Sequence, residues 1–295
     1  MLLPDPTIDV RALASLISRE FGHDGPLAFV PAGGDSWCYR AGPWWISVRR
    51  DRGGHAPAAY EAAVELRRSG LSFVVAPEIG RSGRAVLSLA GRPVVVTTFL
   101  EGDTEFKDGL SPAERDELRS LVERLHRATV NADVPSDDFS FHEAELAEAI
   151  DGARSRAAAG GPFSALVFDL VERNATAVAA WRAEAADLQR VCRRLDHAGF
   201  VLTHGEPDPP NLLRTPDGSL RLFDWGDLRR APAERDSRAL RALGIETAGR
   251  APVLRFYELR WILSEVAEYV MRFVRPHVGD AADQDKLREL RKYLE

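Results

Sequence analysis

The chain has 295 residues, 45% of them hydrophobic and 28% charged, enough for a sizeable core in one or two domains and unlike a disordered or fibrous sequence. A net charge of −6 gives nucleic-acid binding no general electrostatic support. No apolar run approaches the roughly 18 residues of a membrane helix, and the acidic, prolyl start MLLPDPTIDV lacks the basic-then-apolar order of a secretory signal.

In chain order, Ile8, Leu13, Leu16, Ile17 and Phe21 recur at helical intervals, predicting a helix over 8–21 that Gly22 ends. Residues 27–50 turn β-rich around Gly-containing turns, and read as two or three antiparallel strands. Helical spacing returns over 56–69 with Gly70 as its stop. Strand-like SFVVAPEIG and RAVLSLAGRPVVVTTFL then carry the chain to Leu100. Beyond Glu101-Gly102-Asp103 the texture is helical. Ser111-Pro112-Ala113-Glu114 is a capping box opening a helix to about Val130, and Ser140-Phe141-His142-Glu143 opens another. A long helical stretch over 163–196 breaks near Asn174. Phe200–Thr203 reads as a short buried strand, and 211–215 with 220–223 as a hairpin across Pro216-Asp217-Gly218. Helices resume near 233, and 252–275 is the most amphipathic of them.

Two cysteines, Cys38 and Cys192, make no disulfide framework and fit a reducing compartment, so a cytoplasmic protein is expected. The basic residues are 36 arginines and 3 lysines, and no lysine precedes Lys107. Chemistry that expects a lysine in the first third of the chain must therefore use something else.

The densest polar cluster is Thr203-His204-Gly205-Glu206-Pro207-Asp208-Pro209-Pro210-Asn211, followed thirteen residues later by Asp224 in Phe223-Asp224-Trp225-Gly226-Asp227. Phosphoryl transfer needs a carboxylate to orient a hydroxyl nucleophile and hard oxygen ligands for Mg²⁺. An acid followed five residues later by an amide, and then an aspartate at the end of a hairpin strand, supplies both. No G-x-x-x-x-G-K-[ST] motif is present, which excludes the P-loop mode of phosphate binding.

The pattern H-G-E-x-x-x-x-N followed by F-D-W-G resembles the catalytic and metal-binding loops of the aminoglycoside phosphotransferase family, relatives of the protein kinases. The wording HGEP…NLLRTPDG…LRLFDWGD…APAERD is most similar to its spectinomycin phosphotransferase branch. The resemblance implies an α+β, bilobal protein-kinase-like fold. Residues 1–100 would form a nucleotide-binding lobe, a small antiparallel sheet with one helix, with a hinge at about 97–103. Residues 104–295 would form a larger, mostly helical lobe with the catalytic and metal loops and the acceptor site.

Carried over residue by residue, Glu206 falls at the catalytic aspartate position, with Asp208 as a rival carboxylate. Asn211 and Asp224 fall at the two magnesium positions, His204 at a packing histidine, and Asp236 at a loop anchor. Gly33-Gly34-Asp35-Ser36 matches the loop over the ATP phosphates. The lysine of the third strand is absent. Ser47 and Arg49 share one face of Trp45–Arg49, and either could take its place. Arg49 suits phosphate best, with Glu61 as its helical partner and Glu65 as the alternative. Thr97–Leu100 matches the connector whose backbone, at Thr98 and Leu100, reads adenine. Trp261, Glu265 and Glu268 resemble acceptor-facing positions, where carboxylates would suit a cationic substrate.

The resemblance thus implies a cytoplasmic, ATP- and Mg²⁺-dependent O-phosphotransferase, monomeric or homodimeric, with neither nucleic-acid nor membrane partners. Its acceptor would be a small, cationic hydroxyl compound, an aminoglycoside or aminocyclitol antibiotic, and its role resistance. The competing expectations are a metabolic kinase for choline, homoserine or a sugar alcohol, and a nucleotide-binding pseudokinase. The latter is suggested by Glu206 and by the missing lysine.

Overall fold

The computed structural model describes residues 4–32, 36–50, 56–141, 143–156 and 160–295. Helix α1 (Val10–Phe21) starts where the Asp9 carboxylate accepts from the backbone N–H groups of Arg11 and Ala12, at 2.9 and 3.0 Å. It ends at Gly22, whose φ of 71° lies in the left-handed region that glycine enters without a Cβ penalty. Strands β1 (Ala28–Val30), β2 (Ser36–Ala41), β3 (Trp44–Arg49), β4 (Val86–Leu89) and β5 (Arg92–Thr98) make one antiparallel sheet in the order β1-β2-β3-β5-β4. Period-two alternation turns Ile46, Val48, Val94 and Val96 to one buried face, which shares a core with Leu13 and Ile17 of α1.

Between β3 and β4 the chain forms α2 (Pro57–Arg68), with proline at its start, where a missing N–H costs no hydrogen bond. The stretch SFVVAPEIG, expected as a strand, is not one. It touches the sheet only at its end, where Pro77 bridges Thr97 and the Glu78 N–H donates to the Val96 carbonyl at 2.7 Å, while Val74 bridges Leu222 in parallel and the Val75 N–H donates to the Leu222 carbonyl at 2.9 Å. Pro77 has no N–H to donate to a ladder, and the residues before it take other partners despite their β-rich composition.

Helix α3 (Pro112–Arg127) carries the expected capping box, with the Ser111 N–H donating to Glu114 at 2.7 Å and the Glu114 N–H to the Ser111 hydroxyl at 3.3 Å. Helices α4 (Glu143–Arg156), α5 (Ser164–Arg173) and α6 (Ala175–Cys192) follow. The break between the last two falls at Asn174, whose side-chain amide donates to the Leu170 carbonyl at 2.8 Å and competes with helix continuation. Strand β6 (Val201–Thr203) pairs with β9 (Arg229–Ala231). Strands β7 (Leu212–Arg214) and β8 (Leu220–Leu222) form the hairpin. Helices α7 (Glu234–Ala242), α8 (Ala251–Val274) and α9 (Ala281–Leu294) complete the chain.

Two compact units result. One comprises Met1–Ser136 and Gly199–Thr247, the other Asp137–Ala198 and Ala248–Glu295. The first contains the sheet and a core of α2, α3 and the short strands, in which Leu66, Phe73, Leu118, Leu125, Leu202 and Leu222 are buried. The second packs α4 and α6 on α8. There the buried Asp137 carboxylate accepts from the Tyr257 hydroxyl and the Arg260 guanidinium, each at 2.9 Å, which offsets the desolvation of its charge. Among the described residues no helix is long and apolar enough to cross a membrane.

Candidate active site

Strand β6 ends at Thr203 and delivers the chain into a loop whose backbone is held by one buried carboxylate. Asp236, at the start of α7 and fully buried, accepts from the Gly205 N–H at 2.6 Å, the His204 N–H at 3.2 Å and His126 Nε2 at 2.9 Å. Burial works to raise its pKa, but the His126 hydrogen bond, the Arg235 charge and the Gly205 N–H together hold it below the usual carboxylate range. The His204 ring is buried, with its Nε2 2.9 Å from the Phe223 carbonyl and its Nδ1 3.3 Å from the Glu206 N–H. A carbonyl only accepts and an N–H only donates, so Nε2 carries the proton and the ring is neutral. Burial, which pushes its pKa down against the pull of Asp236, favours the same form. Trp225 packs edge-on against this ring at 4.8 Å. His204 thus ties the loop to the end of β8 as a structural residue.

Gly205 has φ of 101°, and a Cβ there would strike the guanidinium of Arg235. Arg235 is itself buried, donating to the Thr203 hydroxyl at 3.0 Å and pairing with the Asp227 carboxylate. The loop is therefore backed by a fixed cation.

Glu206 is exposed to solvent at its surface yet crowded by protein on its other sides. That burial, with the Asp208 charge second, raises its pKa to about 7, and Arg238 opposes the shift. Arg238 lies 3.5 Å from Asp208, both side chains being largely buried. The two carboxylates therefore differ in environment, Asp208 being ion-paired and Glu206 facing outward.

Asn211 sits at the head of β7, and the Phe223 N–H donates to its carbonyl at 3.0 Å, so the register of the hairpin sets Asn211 beside the chain leading into Asp224. The Asn211 Nδ2 donates to the Glu206 carbonyl at 3.0 Å. This uses the amide's nitrogen and leaves Oδ1 as its ligand atom. Asp224 adopts φ of 61°, a left-handed conformation that aspartate tolerates better than most residues. Its Oδ1 lies 3.7 Å from Nη1 of Arg49, which is buried at the end of β3. The Asn211 Oδ1 and the Asp224 carboxylate are hard oxygen donors of the kind Mg²⁺ takes alongside waters and phosphate oxygens.

The other candidates are distributed as follows. Gly33, Gly34 and Asp35 lie outside the described residues; Ser36, the last of that motif, is buried directly opposite Arg49 in the β2–β3 ladder. Ser47 lies 4.0 Å from the Cys38 sulfur. Glu61 is exposed on α2, whereas Glu65 accepts from the backbone N–H groups of Asn131 and Ala132 at 2.6 and 3.0 Å. Asp224 is a carboxylate that meets Arg49. The Thr98 hydroxyl donates to Glu78 at 2.6 Å, and Leu100 follows it in the chain. In the second unit, Trp261 donates to the Tyr293 hydroxyl at 3.0 Å, Glu265 accepts from the Tyr269 hydroxyl at 2.6 Å, and Glu268 is exposed. Sequence reasoning missed Arg238, Arg235 and His126. Arg235 lies within AERD and Arg238 two residues beyond it, which was the only local hint, and nothing local pointed to a histidine 110 residues from its partner.

The phosphotransferase enzyme family matches residues 45–237 of the chain. Protein StrN of Streptomyces griseus is 40% identical over 312 aligned positions, covering 100% of this chain and 96% of that protein. Among solved structures, spectinomycin phosphotransferase APH(9)-Ia superposes with a TM-score of 0.72 in its AMP complex, at 15% identity over 97% of this chain and 95% of the other. Its complex with ADP and spectinomycin gives 0.71, at 16% identity over 98% and 94%. Choline kinase LicA of Streptococcus pneumoniae gives 0.52, at 14% identity over 95% and 98%. These last likenesses are of fold, and the fold is the kinase-like α+β one expected from the sequence.

Proposed function

The chain belongs to the phosphotransferase enzyme family, and from that premise we propose that it transfers the γ-phosphoryl group of ATP to a hydroxyl of a cationic aminocyclitol or aminoglycoside. The observation that carries this reading is the convergence of Arg49 and Asp224 at 3.7 Å. It puts a buried guanidinium, able to neutralise phosphate charge in place of the missing lysine, beside a carboxylate at a metal position. Glu206 then orients the acceptor hydroxyl and accepts its proton. Its pKa of about 7 is suited to a base working near neutrality. Asn211 Oδ1 and the Asp224 carboxylate would hold Mg²⁺, which when bound screens the negative charge of the phosphates. Asp208, paired with Arg238, keeps a second negative charge close to Glu206 and helps set its basicity.

The nature of the acceptor follows from chemistry and kinship together. APH(9)-Ia was solved with ADP and spectinomycin. Glu265 and Glu268 of α8 offer carboxylates to ammonium or guanidinium groups, with Trp261 one helical turn before Glu265. On this reading the role of the protein is antibiotic resistance.

A coupled assay of ADP release, run with and without Mg²⁺ over aminocyclitols, aminoglycosides, choline, homoserine and sugar alcohols, tests the proposal. Release that needs both Mg²⁺ and an aminocyclitol or aminoglycoside is expected. Release with choline, homoserine or a sugar alcohol alone would make the protein a metabolic kinase, and none with any acceptor would make it a pseudokinase.

A further inference from the structure

On the α2 side of the Thr98–Leu100 connector lies a cavity of about 550 Å³, within the size range of small-molecule sites. Thr98 and Leu100 of the connector line it, whereas none of Arg49, Glu206, Asn211 or Asp224 does. We propose that it is a second ligand site, specific for a small organic phosphate with a compact apolar body.

Three guanidiniums border the cavity, those of Arg67 and Arg68 in the last turn of α2 and Arg221 on β8, against the single carboxylate of Glu78. Arg67 donates to the Ser72 carbonyl at 3.1 Å and Arg221 to the Leu220 carbonyl at 3.1 Å; neither they nor Arg68 form an ion pair among the described residues. Asp217 is near enough to feel Arg221, but its Oδ1 already accepts from the hydroxyl and N–H of Ser219, at 2.8 and 3.2 Å. The Glu78 carboxylate accepts from Thr98. In a chain of net charge −6, a concave surface with an excess of two positive charges matches a dianion.

Guanidinium groups bind phosphate through paired N–H donors, which makes this ligand chemistry the natural one. The negative end of α2 would oppose an anion, but three of its last four carbonyls are already engaged by backbone N–H groups. Those of Glu65, Leu66 and Arg67 accept from the N–H groups of Ser69, Leu71 and Gly70. The remaining wall mixes the polar side chains of Ser72, Thr98 and Thr215 with the apolar ones of Val64, Val74, Ile79 and Leu100, and the apolar part can receive a ring or short aliphatic body beside the phosphate. The site stands on these residues alone and not on the catalytic reading.

Phenyl phosphate is the probe, titrated calorimetrically into the full chain, alone and in the presence of saturating β,γ-imido-ATP. One-site binding that persists with the nucleotide analogue, and that an Arg68→Gln/Arg221→Gln double variant of unchanged melting temperature weakens by about tenfold or more, is expected. Benzyl alcohol, which lacks the phosphate, should not bind. Absence of phenyl phosphate binding, its displacement by β,γ-imido-ATP, or equal affinity in the double variant would each overturn the proposal.

Discussion

Nη1 of Arg49, on the third strand of the sheet, lies 3.7 Å from Oδ1 of Asp224, beyond the end of the β7–β8 hairpin. The pair joins two stretches of chain separated by well over a hundred residues, in a chain that has no lysine before Lys107. Its guanidinium is nearly buried while the carboxylate is 42% exposed. The cation is therefore fixed in place, and the anion is the partner accessible to a metal or substrate.

The first prediction follows from that fixed cation. Arg49→Ala should raise the KM for ATP and lower kcat, reducing kcat/KM by about 10²-fold, since positioning and charge neutralisation are lost together. Introducing Ser47→Lys into that variant should restore part of the loss, because residues 47 and 49 share a strand face. Steady-state kinetics in ATP check both, and unchanged ATP kinetics in Arg49→Ala would move the role elsewhere.

Asp224→Ala should abolish turnover, by about 10³-fold or more, while leaving the melting temperature close to that of the parent. The side chain is substantially exposed, so little packing is lost with it. Excess chelator should mimic the variant. Near-normal activity would remove Asp224 from the metal role.

Glu206→Gln should lower kcat by roughly 10²–10⁴ with ATP binding almost unaffected, whereas Asp208→Asn should leave measurable activity. The pH dependence follows in sign from the raised pKa of about 7. The basic form is the active one, so kcat should climb as the pH passes up through about 7 and level off above it. Asp208→Asn removes the neighbouring negative charge and should move this limb to lower pH. A dead Asp208→Asn beside an active Glu206→Gln would exchange the two roles.

Asp236 supports the loop rather than the chemistry. It is fully buried and accepts two backbone N–H groups as well as His126. Asp236→Ala leaves those donors without a partner and should destabilise the protein by about 3–5 kcal/mol in denaturant unfolding. A loss under about 1 kcal/mol would contradict an anchoring role.

Much of this organisation is local enough to be read from sequence. The Ser111–Glu114 capping box, the turn at Gly218 and the Asn174 break each depend on residues within a few positions of one another. The spacing of Glu206, Asn211 and Asp224 is likewise carried by one loop and one hairpin. What is not local is not legible. SFVVAPEIG has the composition of a strand, but its Val74 and Val75 meet Leu222 instead of the sheet. Helical periodicity cannot distinguish Glu61 from Glu65, and the structure engages Glu65 with Asn131 and Ala132 while Asp224 meets Arg49. The contacts of Asp236 with His126 and of Asp208 with Arg238 are tertiary and leave no periodic trace.

A stability prediction concerns Glu114, whose carboxyl is held down at about 2, first by the Arg214 hydrogen bond and also by Ser111. A group depressed on folding adds stability that is complete above its unfolded value of 4.5 and is lost as the pH falls from there towards 2. With solvent screening the contribution is about 1–2 kcal/mol. Urea midpoints should therefore fall between about pH 6 and pH 3 by less in Glu114→Gln than in the parent. Equal falls would show that Glu114 does not contribute.

Phosphorus NMR of the reaction products tests the central claim most directly. ATP, Mg²⁺ and an aminocyclitol such as spectinomycin, incubated with the protein, should yield ADP and a new phosphomonoester resonance in equal amounts, and Glu206→Gln should yield almost none. ATP consumed to ADP and inorganic phosphate without a phosphomonoester, or an equal yield from Glu206→Gln, would contradict the account.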